Sequence, residues 1–494
     1  MILIIAPPPT PNGDLHVGHL SGPYLAADIF KRYIRQHGQQ AHYVVSTDDN
    51  QSYVDTTARR LGIEVTSLIN QSRTEIRDSL SSYDIAIDHF GNQDASYREF
   101  VQAFFERLYS SGLVEVAEMQ VFYDKKTDTY PIESFISGFC PNCLSYTCSG
   151  ICESCGHPNS AIDLLEVQYP GLEILKEPRL VLKLEEFRSE LEQYLLGMET
   201  HRPALKHLIS SLLDQPMTPF PLSYKMNRGI SIDFALSDQK LNVWAEMYPG
   251  HIYFLKKSAG QLSNKDEYVQ FLGFDNSYFY VFVHFALGIA AQKCGFDWPL
   301  PRGFITNQFY YLGSSKFSTS KGNLIWARDL VKDYEADIIR LFLALHGPEF
   351  QEANFSLIAF EKTVSEIARK INDIVEVFNA KLTSMENGDD YKNNKTIEKI
   401  ISILSKPLDL KDYSSSILAQ RALNIIDFLR ESLQHGNHSL LPFVPVLLVM
   451  GLDPFCPKYT QSIRDKFELS NYNWEELVPC CHIQHELPKL LVKR

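Results

Sequence analysis

The sequence of 494 residues has no apolar run long enough to cross a bilayer. Its longest, near Leu440 to Leu452, is interrupted by Pro442 and Pro445 and reads as the end of a packed helix, so no membrane association is expected. Positive charge is also short: 47 Lys and Arg against 60 Asp and Glu leave a formal charge of −13. Composition therefore lends no support to a surface devoted to nucleic acid, although a local basic face would suffice for one. Cysteine is sparse except in one place, since five of the nine lie between residues 140 and 155. That clustering argues for metal ligands or buried thiols rather than a disulfide framework. No basic leader precedes the first apolar segment, no repeat is evident, and a cytoplasmic location is expected. Hydrophobic content of 45% and charged content of 22% are those of an ordinary globular chain, and its length suggests about three domains.

What is present begins at residue 1. Ile2 to Ala6 is a short apolar run that reads as a buried strand, stopped by Pro7, Pro8, Pro9 and Pro11, which cannot donate ladder hydrogen bonds. His16-Val17-Gly18-His19 follows, and then apolar residues at helical spacing (Leu20, Tyr24, Ala27, Phe30, Ile34) predict one helix closed by Gly38. A strand, a glycine-bearing turn and a helix N-terminus form an anion-binding device. Two histidines spaced i, i+3 there can donate to a phosphate as charge develops, whereas elsewhere such a pair is commonly surface or core histidine.

Ala41 to Thr47 predicts a second strand ending in Asp48-Asp49-Asn50. Asp48 fits either a ligand ammonium or the N-cap of the next helix. Residues 51–115 are predicted mostly helical. Cys140-x-x-Cys143 and Cys152-x-x-Cys155, eight residues apart, suit tetrahedral thiolate ligation of one structural Zn2+, with backbone N–H groups of each turn softening the sulfur charge; Cys148 and His157 lie close by, and Cys148 is not expected to be a ligand. Val269 to Asp275 predicts a strand leading into a helix over Asn276–Gln292, and residues 304–312 a last strand delivering the polar loop around Lys316. Helices are predicted from Arg328 to His346 and from about Ser356 onward.

His16-Val17-Gly18-His19 resembles the HIGH signature of class I aminoacyl-tRNA synthetases. Lys316-Phe317-Ser318-Thr319-Ser320-Lys321 resembles their KMSKS signature, and the cysteine-bearing insertion makes the methionyl enzymes the most similar subclass. The resemblance covers residues 1 to about 360. It implies an α/β fold: a Rossmann-like parallel sheet in two halves (1–111 and 223–300), an inserted zinc-knuckle domain (112–222), a KMSKS-like and stem-contact region (301–356) and an α-helical anticodon-binding-like domain (357–494). It implies ATP and Mg2+ as well. His16, His19, Lys316 and Lys321 would be catalytic. Gly18, Gly273, Asp275, Ser318, Thr319 and Ser320 would hold the nucleotide, Asp275 by the ribose. Pro8, Thr10, Asp48, Arg228, Trp244, Tyr248, Asn276 and Tyr280 would surround the amino acid.

Departures from the family pattern matter. Thr319 replaces the second lysine of KMSKS and brings no charge. Thr10 replaces a tyrosine, Pro7 and Pro8 a small residue and a leucine, Tyr280 a histidine, Asn276 an isoleucine, and Met247 and Tyr248 small residues, while Trp244 is kept. Exchanging apolar for polar groups in a pocket changes which side chain fits, because an unpaired buried polar group costs about 1–3 kcal/mol. The implied reaction is activation of methionine or a related amino acid, slightly different or more polar, to its adenylate with release of pyrophosphate, then transfer to the 3′ end of tRNA. Residues after 357 lack the Asn, Trp and Pro determinants of anticodon reading and any arginine-rich face. A ligase passing the acyl group to a small amine, thiol or carrier protein is therefore the alternative. A catalytically dead scaffold is disfavoured, because the histidines and lysines are present.

Overall fold

The computed structural model describes every residue except 170, 199–201, 314, 317–323, 383–393, 407–408, 470–484 and 494, and the backbone only at 315 and 316. The chain divides into two compact units. The first comprises Met1–Asp14, His42–Arg77 and Ile87–Asn307; the second comprises Leu15–Ala41, Asp78–Ala86 and Gln308–Arg494. Among the described residues no helix is long and apolar enough to cross a membrane.

A five-stranded sheet organises the first unit: β1 (Ile2–Ile5), β2 (Ala41–Val45), β3 (His89–Phe90), β4 (Glu267–Gly273) and β5 (Pro301–Asn307), in the order β5-β4-β1-β2-β3. The pairings β1·β4, β4·β5 and β2·β3 are parallel, with Ile2 opposite Glu267 and Val44 opposite His89. All four residues of β1 are buried, as expected for a strand covered on both faces. The order reverses direction between β1 and β4, which makes their carboxyl ends the place where such a sheet binds ligands. β3 escapes the sequence reading because two residues carry no pattern.

The insertion shares the core of the sheet. Leu180, Leu182, Phe187, Leu191 and Ile209 join Leu3, Ile5, Tyr248 and Phe282 in one hydrophobic cluster. Two long strands, Glu115–Asp124 and Leu172–Leu182, pair antiparallel within it.

In the second unit the predicted first helix is broken. One turn, Val17–His19, is followed by a kink at Gly22 (φ −89°, ψ −122°), and helix α1 starts only at Leu25 and runs to Gln36. Pro23 explains the break, because proline removes an N–H and drives the preceding residue out of the helical region. Gly38 follows at φ +75°, closing the helix as predicted. The predicted last strand is also split: β5 ends at Asn307, and Tyr310–Leu312 belongs to a separate sheet, antiparallel to Ser315–Lys316 and parallel to Ala353–Phe355. Helices Ala336–His346, Leu357–Lys381 and Ser415–Gln434 pack together, burying Ile338, Ile339, Phe360, Val364, Ile371 and Leu429. Val444–Leu452 is the packed helix expected of the apolar run.

Candidate active site

In the first unit, the loop after β2 is held beside the loop after β1 by a hydrogen bond from the Asp48 amide to the Pro9 carbonyl (3.1 Å). Pro8 and Thr10 belong to that same β1 loop. Asp48 is 1% exposed, and its Oδ2 accepts from the Gln51 side-chain amide at 3.2 Å while Oδ1 has no partner among the described residues. The following helix, Ser52–Leu61, takes Gln51 as its N-cap, so Asp48 is not the cap. Burial, and then the carboxylates of Glu246, Glu133 and Asp49, push the Asp48 carboxyl well above its ordinary range. Burial likewise pushes Glu246 up to about 7 against the opposing hydrogen bonds of Asn50 and Tyr97. It pushes Glu133 up to about 7 against those of Ser52 and the Trp244 side chain. An acid cluster around an orphaned carboxylate oxygen is a cradle for a cation.

Arg228 is not that cation. Its guanidinium donates to the backbone carbonyls of Asp49 and Gln51 (3.2 Å to the latter) and pairs with Asp55 at 2.7 Å, so it fixes the 49–51 loop. Arg73 is likewise engaged, paired with the Asp49 carboxylate.

The carboxyl end of β4 carries Gly273-Phe274-Asp275. A Cβ at Gly273 would lie 2.6 Å from Asp275 Oδ1, so only glycine lets the Asp275 carboxylate fold back over this backbone. Next to it stands the cysteine cluster. The ligand atoms of Cys140, Cys143, Cys152 and Cys155 lie within 4.8 Å of one another, with Sγ separations of 3.8 Å (140–155) and 3.5 Å (143–152). A tetrahedron with Zn–S of about 2.3 Å has edges of about 3.8 Å, so the four sulfurs fit one zinc and leave no open position. Backbone N–H groups of Asn142 and Cys143 serve the Cys140 sulfur, and those of Ser154 and Cys155 serve Cys152. Cys148 stands outside the group and bonds the Tyr53 side chain. Gly156 closes the second knuckle at φ +74°, where an added Cβ would meet Leu208 at 2.9 Å and Phe274 at 3.3 Å. The knuckle thus packs on the middle residue of Gly273-Phe274-Asp275.

In the second unit, His16 and His19 cap each other. His16 Nδ1 accepts from the His19 amide (3.1 Å) and His19 Nδ1 from the His16 amide (3.4 Å), with the rings stacked at 3.6 Å. An amide nitrogen cannot accept, so each neutral ring carries its proton on Nε2 as a donor. His16 is buried and His19 exposed. Because only one turn follows before the kink, the imidazoles rather than a long helix dipole supply the positive edge. The turn is stitched to the segment after the lysine loop: Val17 donates to the Ile325 carbonyl (3.0 Å), and Ala327 donates to that of Leu15 (2.9 Å). The loop residues Ser318, Thr319, Ser320 and Lys321 lie outside the described residues, as does the Lys316 side chain; the Lys316 backbone is on a hairpin strand opposite Tyr311. Gly18 lies at the centre of the histidine turn.

Of the remaining predicted residues, Trp244 stacks on Phe279 (3.9 Å, 11° between planes) and Asn276 ends the short turn after β4. Tyr280 is fully buried, with its hydroxyl 3.8 Å from Met247 Sδ. Tyr248 lies in the apolar core, 5.9 Å from Phe104 between ring centres.

The family model described as "tRNA synthetases class I (M)" matches residues 2–378. The chain belongs to the class I tRNA synthetases. Among curated relatives, methionine–tRNA ligase of Methanococcus maripaludis is 25% identical over 72% of this chain and 54% of its own length. That of Flavobacterium psychrophilum is 28% identical over 76% of this chain and 56% of its own length. This class I chain therefore spans about half the length of the curated relatives it matches first. A methionine–tRNA ligase of Bacteroides fragilis, 24% identical, aligns over 98% of this chain and 78% of itself. The solved Mycobacterium tuberculosis methionyl-tRNA synthetase with methionyl-adenylate has the same fold (TM-score 0.72, 15% identity, 94% of both chains).

Two features of this class I site escaped the sequence reading. Glu133 and Glu246 join Asp48 from the insertion and from helix α2 (Val243–Ala259). His251 and His284 are buried beside Tyr280. The heptad-like spacing Trp244, Met247, His251 on α2 was a usable signal for the second pair.

Proposed function

We propose that the chain activates an α-amino acid with ATP, forming an aminoacyl-adenylate and releasing pyrophosphate, and then passes the acyl group to the 3′ end of tRNA. The observation that carries this reading is the reciprocally capped His16–His19 pair, with both Nε2–H groups as donors and its turn hydrogen-bonded to the exit of the Lys316–Lys321 loop. An amino-acid carboxylate oxygen attacks the α-phosphorus, the bond to the bridging oxygen breaks, and pyrophosphate leaves. Donors aimed at the charge developing on the α-phosphoryl oxygens stabilise the transition state, a role suited to His16, His19 and the loop lysines. Asp48 takes the ammonium, Asp275 the ribose hydroxyls, and Gly273 and Gly18 permit close backbone approach; Ser318, Thr319 and Ser320 line the phosphates. Pro8, Thr10, Trp244, Asn276 and Tyr280 border the side chain, and Arg228 positions the Asp48 loop. Mg2+ accompanies ATP, and zinc is structural.

ATP–pyrophosphate exchange with a mixture of amino acids tests the reading. His19→Ala is expected to lower the exchange rate about 10²–10³-fold, the loss of one transition-state donor. Unchanged exchange in this variant rejects the role. Charging of total tRNA by the wild-type protein tests the second step. Adenylate formation without charging would favour transfer to another nucleophile.

A further inference from the structure

His251 and His284 lie on facing segments, α2 and helix α3 (His284–Lys293), with Tyr280 between them. Ring centres are 5.7 Å apart for the two histidines, 5.6 Å for His251–Tyr280 and 4.6 Å for Tyr280–His284. His251 is 3% exposed and neither ring nitrogen has a partner among the described residues; His284 is fully buried and its Nδ1 has none among them. The other His284 nitrogen, Nε2, is 2.6 Å from the Trp244 carbonyl. A carbonyl only accepts, so the proton is on Nε2 and Nδ1 is a bare acceptor waiting for a donor. His251, neutral because burial and then His284 hold its pKa well below the usual range, presents one donor and one acceptor. Burial likewise lowers His284 to about 4.

Three buried ring nitrogens without partners, each costing about 1–3 kcal/mol, are not what an apolar pocket retains. Trp244 links this cluster to the acid cradle: its carbonyl serves His284 and its indole N–H donates to Glu133, whose carboxylate faces Asp48 electrostatically. A ligand spanning the two clusters along Trp244 would place its ammonium at Asp48 and its side chain at the imidazoles. Methionine has no hydrogen-bond donor on its side chain and would leave His284 Nδ1 unpaired. A carboxylate side chain offers acceptors only and would add a charge beside the acids.

We propose that the side-chain pocket of this chain, floored by His251 and His284, takes an amino acid with an uncharged side chain that both donates and accepts hydrogen bonds, a hydroxyl or a carboxamide, and discriminates against methionine. This rests on the amino-acid-activating reading above and names its substrate class.

The test compares ATP–pyrophosphate exchange for L-serine, L-threonine, L-homoserine, L-asparagine and L-glutamine with that for L-methionine, L-norleucine and L-leucine, alongside calorimetric titration of each without ATP. One of the first five is expected to exceed methionine and norleucine at least about 100-fold in kcat/KM, as sites built to bond a polar group do. Methionine or norleucine matching the best polar amino acid would overturn the pocket assignment while leaving activation intact. Binding of a polar amino acid without exchange for any would support the pocket and reject activation. Absence of both binding and exchange across the panel would overturn both. His251→Phe keeps the ring volume, and removing an unpaired polar group should not lower stability. It is expected to raise KM for the preferred amino acid at least about 10-fold with the KM for ATP unchanged. A change in melting temperature alone, without that split, would mark His251 as merely structural.

Discussion

Asp28 and Asp48 are aspartates with almost no exposed surface, and they meet opposite surroundings. Asp28, in the second unit, bonds Arg340 (2.7 Å), Arg32 (2.8 Å) and the Ala86 amide (2.8 Å). Burial disfavours its charge, but the two guanidiniums outweigh it and hold the carboxyl below the usual range. Arg340 is itself saturated by the carbonyls of Tyr83, Pro454 and Phe455. Asp48, in the first unit, has three acids around it and an oxygen without a partner among the described residues. A saturated buried charge closes a structure. An unsaturated one leaves room for a ligand, and stability is given up to keep it. The same contrast holds for imidazoles: His16 and His19 engage each other's backbone, while neither nitrogen of His251 has a hydrogen-bond partner among the described residues.

Arg340→Ala is expected to show the largest effect, because it strands Asp28 uncompensated: a loss of about 3–5 kcal/mol, read as a shifted denaturation midpoint. A loss below about 1 kcal/mol would erase the contrast. Asp48→Asn should leave stability unchanged or slightly raised while weakening amino-acid binding about 10–100-fold, the cost of one charged hydrogen bond. Destabilisation comparable to that of Arg340→Ala would mean that Asp48 is structural.

The acids also set a pH signature. Folded Glu133 and Glu246 titrate near 7, above the ordinary 4.5, so between these values the folded protein holds protons that the unfolded chain has lost. Stability without ligand therefore falls as pH rises through this window and levels off above about 7. A drop in Tm of roughly 5 °C from pH 5 to pH 8, reduced in Glu246→Gln, is expected by calorimetry. Amino-acid affinity should rise over the same range as the cradle becomes charged; a flat profile in both would show that the acid cluster does not titrate there. The smallest change concerns zinc. One metal ion per chain is expected by elemental analysis, and Cys155→Ser should lower that ratio and, through Gly156 and Phe274, raise KM for ATP a few-fold. A ratio near zero in the wild-type protein would refute the site.

Much is legible in the sequence itself. The apolar run at residue 2, the paired C-x-x-C knuckles and the two signatures point to the sheet, the thiolate cluster and the family, since each is a local pattern whose chemistry depends on short spacing. The kink at Gly22-Pro23 was also written in the chain, as a proline whose backbone consequence outweighs apolar periodicity. Other features had no local sign. Asp28 and Arg340 are 312 residues apart, and Glu133 reaches Asp48 from an insertion that shares the core of the sheet. Whether a buried acid or imidazole is satisfied depends on which distant groups the fold brings within about 3 Å, and hydrogen bonding falls off too steeply for sequence spacing to report that. The residue types, the turns and the metal ligands are therefore properties of the sequence. Which charges are saturated, and which are left open, was decided by tertiary structure alone.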